Sequence, residues 1–268
     1  MSLGFKHKGA YKGGLHQLFH HLPNLIKLDI PCLPALFPPT DPPGTPAPYL
    51  LRLEHLATSL PRASVTKAVD LDCLAQLASL PTLKQLEIYD WHEDGNYVNR
   101  PQLVMLPGIK ALKIQGDGAD TVSTRTLVNA CPSLLHLELN STYDESPLGF
   151  QHTLPTLPCS LHSLLIYSPT FTFIHPPVDS ALPSFSQLRS LRLGDGIYSV
   201  TVHIALQNLP HLTHLHLGEG EIDPDGFVSL ISGSSRLPSL RTIILDFDAG
   251  IVGRRIKRPS RAGFNIEF

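Results

Sequence analysis

One nine-residue phrase, an apolar residue or cysteine followed by Pro-x-Leu-x-x-Leu-x-Leu, returns along this chain and limits its possible folds more than any other feature. It reads LPNLIKLDI (22–30), LPTLKQLEI (80–88), LPGIKALKI (106–114), CPSLLHLEL (131–139), LPHLTHLHL (209–217) and LPSLRTIIL (237–245). Looser copies are APYLLRL (47–53), CSLHSLLI (159–166) and FSQLRSLRL (185–193). The middle apolar residues are Leu28, Leu51, Leu86, Leu112, Leu137, Leu164, Leu191, Leu215 and Ile243, at intervals of 23, 35, 26, 25, 27, 27, 24 and 28, a mean of about 27. A fixed period of that length is the mark of stacked copies of one structural unit.

The last two apolar residues of each phrase are separated by a single, usually polar, residue, which is the period of a strand with one buried face. The intervening chain must then return to start the next strand beside the last. Four segments have helical patterns suited to that return: GGLHQLFHH (13–21), SVTKAVDLDCLAQLASL (64–80), STRTLVNA (123–130) and DPDGFVSLISG (223–233), the last opening with Asp223 as N-cap and Pro224 in the first turn. PCLPALFPPTDPPGTPAP (31–48), with eight prolines in eighteen residues, is extended or turning chain, and YSPTFTFIHPPVDSALPS (167–184) is similarly irregular. A single copy cannot bury its own leucine stripe, so the copies must stack around a continuous core. The expected fold is α/β: a leucine-rich-repeat solenoid, with a curved parallel sheet and with helices and irregular loops on its outer side. About nine irregular repeats fill residues 15–250, between an N-terminal extension (1–14) and a basic C-terminal tail or closing partial repeat (251–268).

Composition narrows the function classes. The 268 residues are 42% hydrophobic and 16% charged with a formal charge of −2, so bulk electrostatics nominates neither nucleic acid nor an anionic membrane. The N-terminus MSLGFKHKGAYKGG has no apolar signal core, and the apolar runs fall far below the roughly 20 residues of a membrane helix. Cys32, Cys73, Cys131 and Cys159 form neither a CxxC pair nor a dense disulfide pattern, which suits a reducing compartment, cytoplasmic or nuclear.

The 14 histidines invite a metal or acid–base reading, most of all HLTHLHLGEG (211–220). His214 and His216 flank Leu215 and share the open, concave face, about 7 Å apart. His136 falls in the column of His214 three strands away, about 14 Å, too far to share one ion. No metal site and no cofactor is expected, and the histidines read as surface residues available to a partner. The column between the last two apolar residues runs Asp29, Arg52, Glu87, Lys113, Glu138, Leu165, Arg192, His216, Ile244. Its first five members alternate in sign, which reads as a self-neutralising ladder. Its other end, Leu165, Arg192 and His216 near Tyr167, is left to engage a protein. Tyr89, Gln115, Asn140 and Tyr167 form the next outward column, and aromatic side chains on an open face are common anchors of recognition. The expected protein-binding residues are therefore Tyr89, Lys113, Gln115, Glu138, Asn140, Leu165, Tyr167, Arg192, His214 and His216.

Other motifs fit structural roles. Cys131 occupies the slot of Leu22, Leu80, Leu106, Leu209 and Leu237 and reads as a small buried hydrophobe. GDGAD (116–120), GDG (194–196) and GEGEID (218–223) lack the lysine or helix of a phosphate loop and lie where the chain leaves its strands. Asp117, Asp195, Glu219 and Glu221 beside them lack the dense alternation of a calcium loop. WHEDGNYVNR (91–100) reads as a polar turn or a functional insertion. GRRIKRPSR (253–261) places Arg254, Arg255, Lys257, Arg258 and Arg261 within eight residues, a solvated tail or a nuclear-import or nucleic-acid contact, and FNIEF (264–268) has the alternation of a closing strand.

The phrase (L/C)PxLxxLxL, CPSLLHLEL above all, resembles the leucine-rich repeats of F-box proteins, including the divergent ones of fungi, over roughly residues 15–250. The asparagine of the commonest repeat type is missing: its positions hold Leu33, Leu56, Trp91, Asp117, Thr142, Pro169, Gly196, Gly220 and Asp248, which points to an irregular intracellular class. No F-box-like segment is visible in the twenty or so residues ahead of the first phrase. The resemblance implies substrate recognition in an F-box-like ubiquitin ligase system. The residues themselves imply a non-enzymatic protein-interaction scaffold, since a solenoid spreads side chains over a wide surface without a closed, dry pocket for a small-molecule substrate. The second reading is a nuclear or RNA-associated adaptor using the basic C-terminal segment.

Overall fold

The fold was obtained as a computed structural model, which describes residues 2–4, 18–30, 50–59, 77–78, 80–89, 105–116, 122–141, 157–167, 181–194, 196–198, 200–218, 220–222, 237–246 and 265–267. Two compact units divide the chain, Met1–Leu134 and Leu135–Phe268. Both are leucine-rich-repeat solenoids.

Each coil begins with a tight turn, and the turn explains the Leu-Pro-x-Leu opening of the phrase. The carbonyl of its first residue accepts the backbone N–H three residues on: Leu25 to Leu22, Leu53 to Leu50, Leu83 to Leu80, Ile109 to Leu106 and Leu134 to Cys131 in the first unit; Leu161 to Pro158, Leu188 to Phe185, Leu212 to Leu209 and Leu240 to Leu237 in the second. Proline is favoured directly after the accepting residue of such a turn because its fixed φ is already that of the turn. The apolar residues at both ends of the turn are buried in all the coils but those opening at Leu22 and Pro158, where the first residue is half-buried, so one motif sets the chain direction and fills the core.

In the first unit the parallel strands are β1 (Ser2–Gly4), β2 (Lys27–Ile30), β3 (His55–Ser59), β4 (Gln85–Tyr89) and β5 (Ala111–Gln115), in spatial order of sequence, and a turn leads into each of β2 to β5. Ahead of each strand one carbonyl accepts two N–H groups from the next coil: Ile26 from Glu54 and His55, Glu54 from Lys84 and Gln85, Lys84 from Lys110 and Ala111. Leu28, Leu56, Leu86 and Leu112 stand in register and form one buried row; Ile30, Thr58, Ile88 and Ile114 form the next. Helix α1 (Val122–Asn129), the element expected at STRTLVNA, buries Thr124, Leu127 and Val128 at helical spacing, and the carbonyl of Ala130 just beyond it accepts the Leu106 N–H.

The register of β3 corrects the alignment of the third copy. The residue in register with Leu28 and Leu86 is Leu56, and Leu51 takes the slot that proline fills elsewhere, 54% exposed in the turn. The true intervals around this strand are 28 and 30 residues. The column residue between Asp29 and Glu87 is thus Ala57, not Arg52, and the expected run of alternating charges is broken there. Arg52 instead donates from Nη1 to Asn24 Oδ1, 2.9 Å away in the preceding turn.

In the second unit β6 (His136–Asn140), β7 (Ser163–Tyr167), β8 (Ser190–Leu193), β10 (His214–Leu217), β12 (Thr242–Leu245) and β13 (Asn265–Glu267) are parallel neighbours in that order. Leu137, Leu164, Leu191, Leu215 and Ile243 form one buried row, and Leu139, Ile166, Leu193, Leu217 and Leu245 the next. The closing strand anticipated at FNIEF is β13, its Ile266 in register with Ile243. Two features were not anticipated. β9 (Gly196–Tyr198) and β11 (Gly220–Ile222), following the glycines after β8 and β10, pair as a separate two-stranded parallel sheet, and α2 (Val200–Gln207) provides the return between β9 and β10. The helices expected over 64–80 and 223–233 lie outside the described residues except for 77–78 and 80, and of 13–21 only 18–21 is described.

Where glycine stands in these coils it is sometimes required. A Cβ on Gly108, in the turn position that Thr82 occupies one coil earlier, would meet the Leu83 carbonyl oxygen at 2.8 Å. Thr82 uses the same closeness differently, its hydroxyl lying 2.9 Å from both the Leu51 and Leu53 carbonyls, and Ser239 repeats the device on Pro210 at 2.7 Å. These turn hydroxyls tie coil to coil in a repeat that lacks the asparagine column.

Candidate functional site

Residues that alternate with the buried rows form the open face of each unit. In the first unit this face centres on Glu87. Its Oε1 accepts from His55 Nε2 at 2.8 Å and Gln85 Nε2 at 3.1 Å, and its Oε2 accepts from the Tyr89 hydroxyl at 2.8 Å. Lys113 is its register partner on β5. Burial pushes the Glu87 carboxyl up, but the Tyr89 hydroxyl, His55 and Lys113 together outweigh it and hold the group below its ordinary value. Tyr89, Lys113 and Gln115 are half-buried, so this part of the face is a packed polar network.

A carboxylate whose folded pKa is depressed adds stability above its unfolded pKa and loses it as acid titrates it in the fold. Glu87→Gln is therefore expected to destabilise the protein by about 1 kcal/mol at pH 7, through weaker hydrogen bonds from three donors. The gap between wild type and variant should narrow as pH falls below the ordinary 4.5, which urea unfolding at pH 7 and pH 3 would measure.

In the second unit the expected residues sort into two kinds. Glu138 is bonded by Asn140 Nδ2 at 2.7 Å, and His216 Nε2 reaches Asp246 Oδ2 at 2.6 Å. The hydroxyl of Thr213 donates to the Arg189 carbonyl at 2.9 Å, so the His214 Nδ1–H, 2.8 Å from that oxygen, is the donor to it. Leu165, Arg192 and His216 are consecutive register partners across β7, β8 and β10. Arg192 is exposed, Leu165 half-buried, and Tyr167 at the end of β7 is 37% exposed. This row is an apolar, a cationic and an imidazole side chain side by side, with a phenol ring at its edge.

His136 and His214 lie in one column three strands apart, and among the described residues no group of three or more His, Cys, Asp or Glu is placed to hold a metal. Cys131 is fully buried, and burial pushes its thiol up to about 12, while Cys159 is exposed. Among the described residues no helix is long and apolar enough to cross a membrane. Arg254, Arg255, Lys257, Arg258 and Arg261 lie outside the described residues, as does WHEDGNYVNR.

Four participants escaped the sequence reading. His55 was hidden by the misplaced third copy. Asp246 occupies the outward column of Tyr89 and Tyr167 and was recoverable by extending that column one copy further. Arg189 and Arg241 occupy one slot, directly ahead of β8 and β12, and are both exposed.

No protein-family model matches the chain, and no curated protein matches it. Among solved structures it is similar to one from the mouse RP105/MD-1 complex, at 18% identity over 84% of this chain and 39% of that one, with a TM-score of 0.46. An internalin, inlF, of Listeria monocytogenes matches at 20% identity over 81% of this chain and 61% of that one, TM-score 0.40. InlP of the same bacterium matches at 18% identity over 72% and 48%, TM-score 0.32. The chain thus spans between about two fifths and three fifths of the length of these chains.

Proposed function

We propose that this chain is a non-enzymatic protein-binding scaffold whose partner lies on the open face of the second unit. The observation that carries the reading is the adjacency of Leu165, Arg192 and His216 beside the exposed ring of Tyr167. Arginine and tyrosine supply much of the binding energy of protein interfaces, because each combines a large contact area with directed polar groups. Two groups that could carry chemistry are committed elsewhere: Cys131 is buried and protonated, and Glu87 is bonded to its own neighbours.

A photo-crosslinking residue at position 167 tests this. In extract it should yield discrete protein adducts that are lost when Arg192→Glu is added. Adducts no stronger than those from the same residue at exposed position 51 would overturn the reading. In its finer form, following the resemblance of CPSLLHLEL to F-box repeats, the partner is a ubiquitination substrate. Retention of the chain by a ligase adaptor in reconstitution supports that form, and failure to bind the adaptor removes it.

A further inference from the structure

Basic side chains gather at one end of the strands of the second unit. His136 opens β6 and His214 opens β10, in one register column, while His162, Arg189 and Arg241 stand one residue ahead of β7, β8 and β12. Successive coils are tied at this level, since the His162 carbonyl accepts the Arg189 N–H, Arg189 accepts from Thr213, and Thr213 from Arg241. At about 4.8 Å per strand, Arg189 and Arg241 are about 10 Å apart, with His162 about 5 Å from Arg189 and Arg192 three residues further along β8. Like charges this close repel one another unless an anion stands between them. Burial, and the neighbouring His162, lower the pKa of His136 and favour its neutral form, so the fixed charge of the band is that of the arginines.

Nothing acidic on this unit's described face answers the charge. Asp246 is held by His216 and Glu138 by Asn140, and among the described residues none of the guanidinium groups of Arg189, Arg192 and Arg241 is paired with a carboxylate. Resting on the scaffold reading above, we infer that this band binds an acidic, extended segment of a partner protein, its carboxylates on Arg189, Arg192 and Arg241 and an apolar or aromatic side chain on Leu165 and Tyr167. Three guanidinium forks match carboxylates two oxygens at a time. The adjoining Leu165 and Tyr167 suit a peptide carrying side chains of both kinds better than a uniform polyphosphate. The chain's formal charge of −2 provides no long-range pull on nucleic acid, so the attraction is local.

The test is fluorescence polarisation on the full chain with a labelled twelve-residue peptide of alternating Glu and Asp around one Phe. The unit-two variant Arg189→Glu, Arg192→Glu, Arg241→Glu is compared with a control of equal charge change in unit one, Lys27→Glu, Arg52→Glu, Lys110→Glu, all exposed positions. Circular dichroism confirms that both fold. The peptide should bind wild type and control alike and the unit-two variant at least tenfold more weakly, with no measurable binding of a labelled oligothymidine. Equal weakening in both variants, or tighter binding of the oligothymidine, overturns the inference. Loss of peptide binding alongside persistent position-167 adducts would refute the acidic partner and leave the scaffold standing; absence of both would refute the two together.

Discussion

Leu56→Ala is expected to destabilise the first unit by about 2–5 kcal/mol, whereas Leu51→Ala, five residues earlier in the same phrase, should change stability by no more than about 0.5 kcal/mol. Leu56 is fully buried in the row Leu28–Leu56–Leu86, and truncating it removes three side-chain carbons from contact with both neighbouring coils and leaves a cavity between them. Leu51 is more than half exposed and stands in the turn slot that proline fills elsewhere. Because repeat stability is a sum of coil and nearest-neighbour terms, the loss should be local. Amide hydrogen exchange should accelerate in β2, β3 and β4 and stay near wild type in β10 and β12. If Leu51→Ala were the damaging change, the register of β3 would be wrong and the leucine row with it.

That contrast shows where the sequence was ambiguous. YLLRLEHLATS contains two overlapping frames, and the one ending in Leu51-x-Leu53 resembled the other copies because its last position was leucine. The real frame ends in Thr58, a polar residue in a slot otherwise filled by isoleucine or leucine, fully buried with its hydroxyl on the Ser59 carbonyl at 3.1 Å. One threonine was enough to hide a strand. The helix α2 was hidden for a different reason. Val200, Thr201, Val202 and Ile204 are β-branched and read as strand by propensity, but β9 and β10 on either side are already strands, and the chain between them must return. It does so with His203 and Leu206, three residues apart, facing inward and buried. In the copies other than the third, the turn-and-strand phrase was legible, because its apolar spacing and its alternation agree.

The site was legible to a lesser degree, and the reason lies in what a column is. Reading every copy at one slot named Glu87, Arg192, His216 and Tyr167 correctly as open-face residues, since that needs only the period of the strand. It did not reveal their partners. Asp246 lies thirty residues beyond His216 and reaches it only because β12 is the next strand over, and His55 meets Glu87 across thirty-two residues for the same reason. Those pairings separate the committed network around Glu87 from the row of Leu165 and Arg192, which is why the proposed binding face is the one on the second unit.

The second large effect is expected at Phe185. Phe185→Ala should cost about 3–5 kcal/mol, and Phe185→Leu less than about 1.5 kcal/mol. Phe185 stands where most other copies of the phrase carry leucine, with cysteine at Cys131 and proline at Pro158, and it is fully buried. A short 3-10 turn, Leu182–Ser184, leads into Phe185, whose N–H bonds the Leu182 carbonyl at 3.0 Å and whose carbonyl accepts the Leu188 N–H at 2.9 Å. The backbone on both sides is thereby fixed and cannot collapse into the space an alanine leaves, so the cavity term adds fully to the lost transfer energy. Leucine fills most of that volume in a slot whose geometry leucine already satisfies in six other coils. Since Phe185 opens the coil carrying Arg189 and Arg192, the alanine variant should also weaken the acidic peptide by more than the leucine variant does. Urea unfolding and the polarisation assay on both variants would check this, and equal stability losses would mean that the slot is packed by the ring in particular and not by apolar volume.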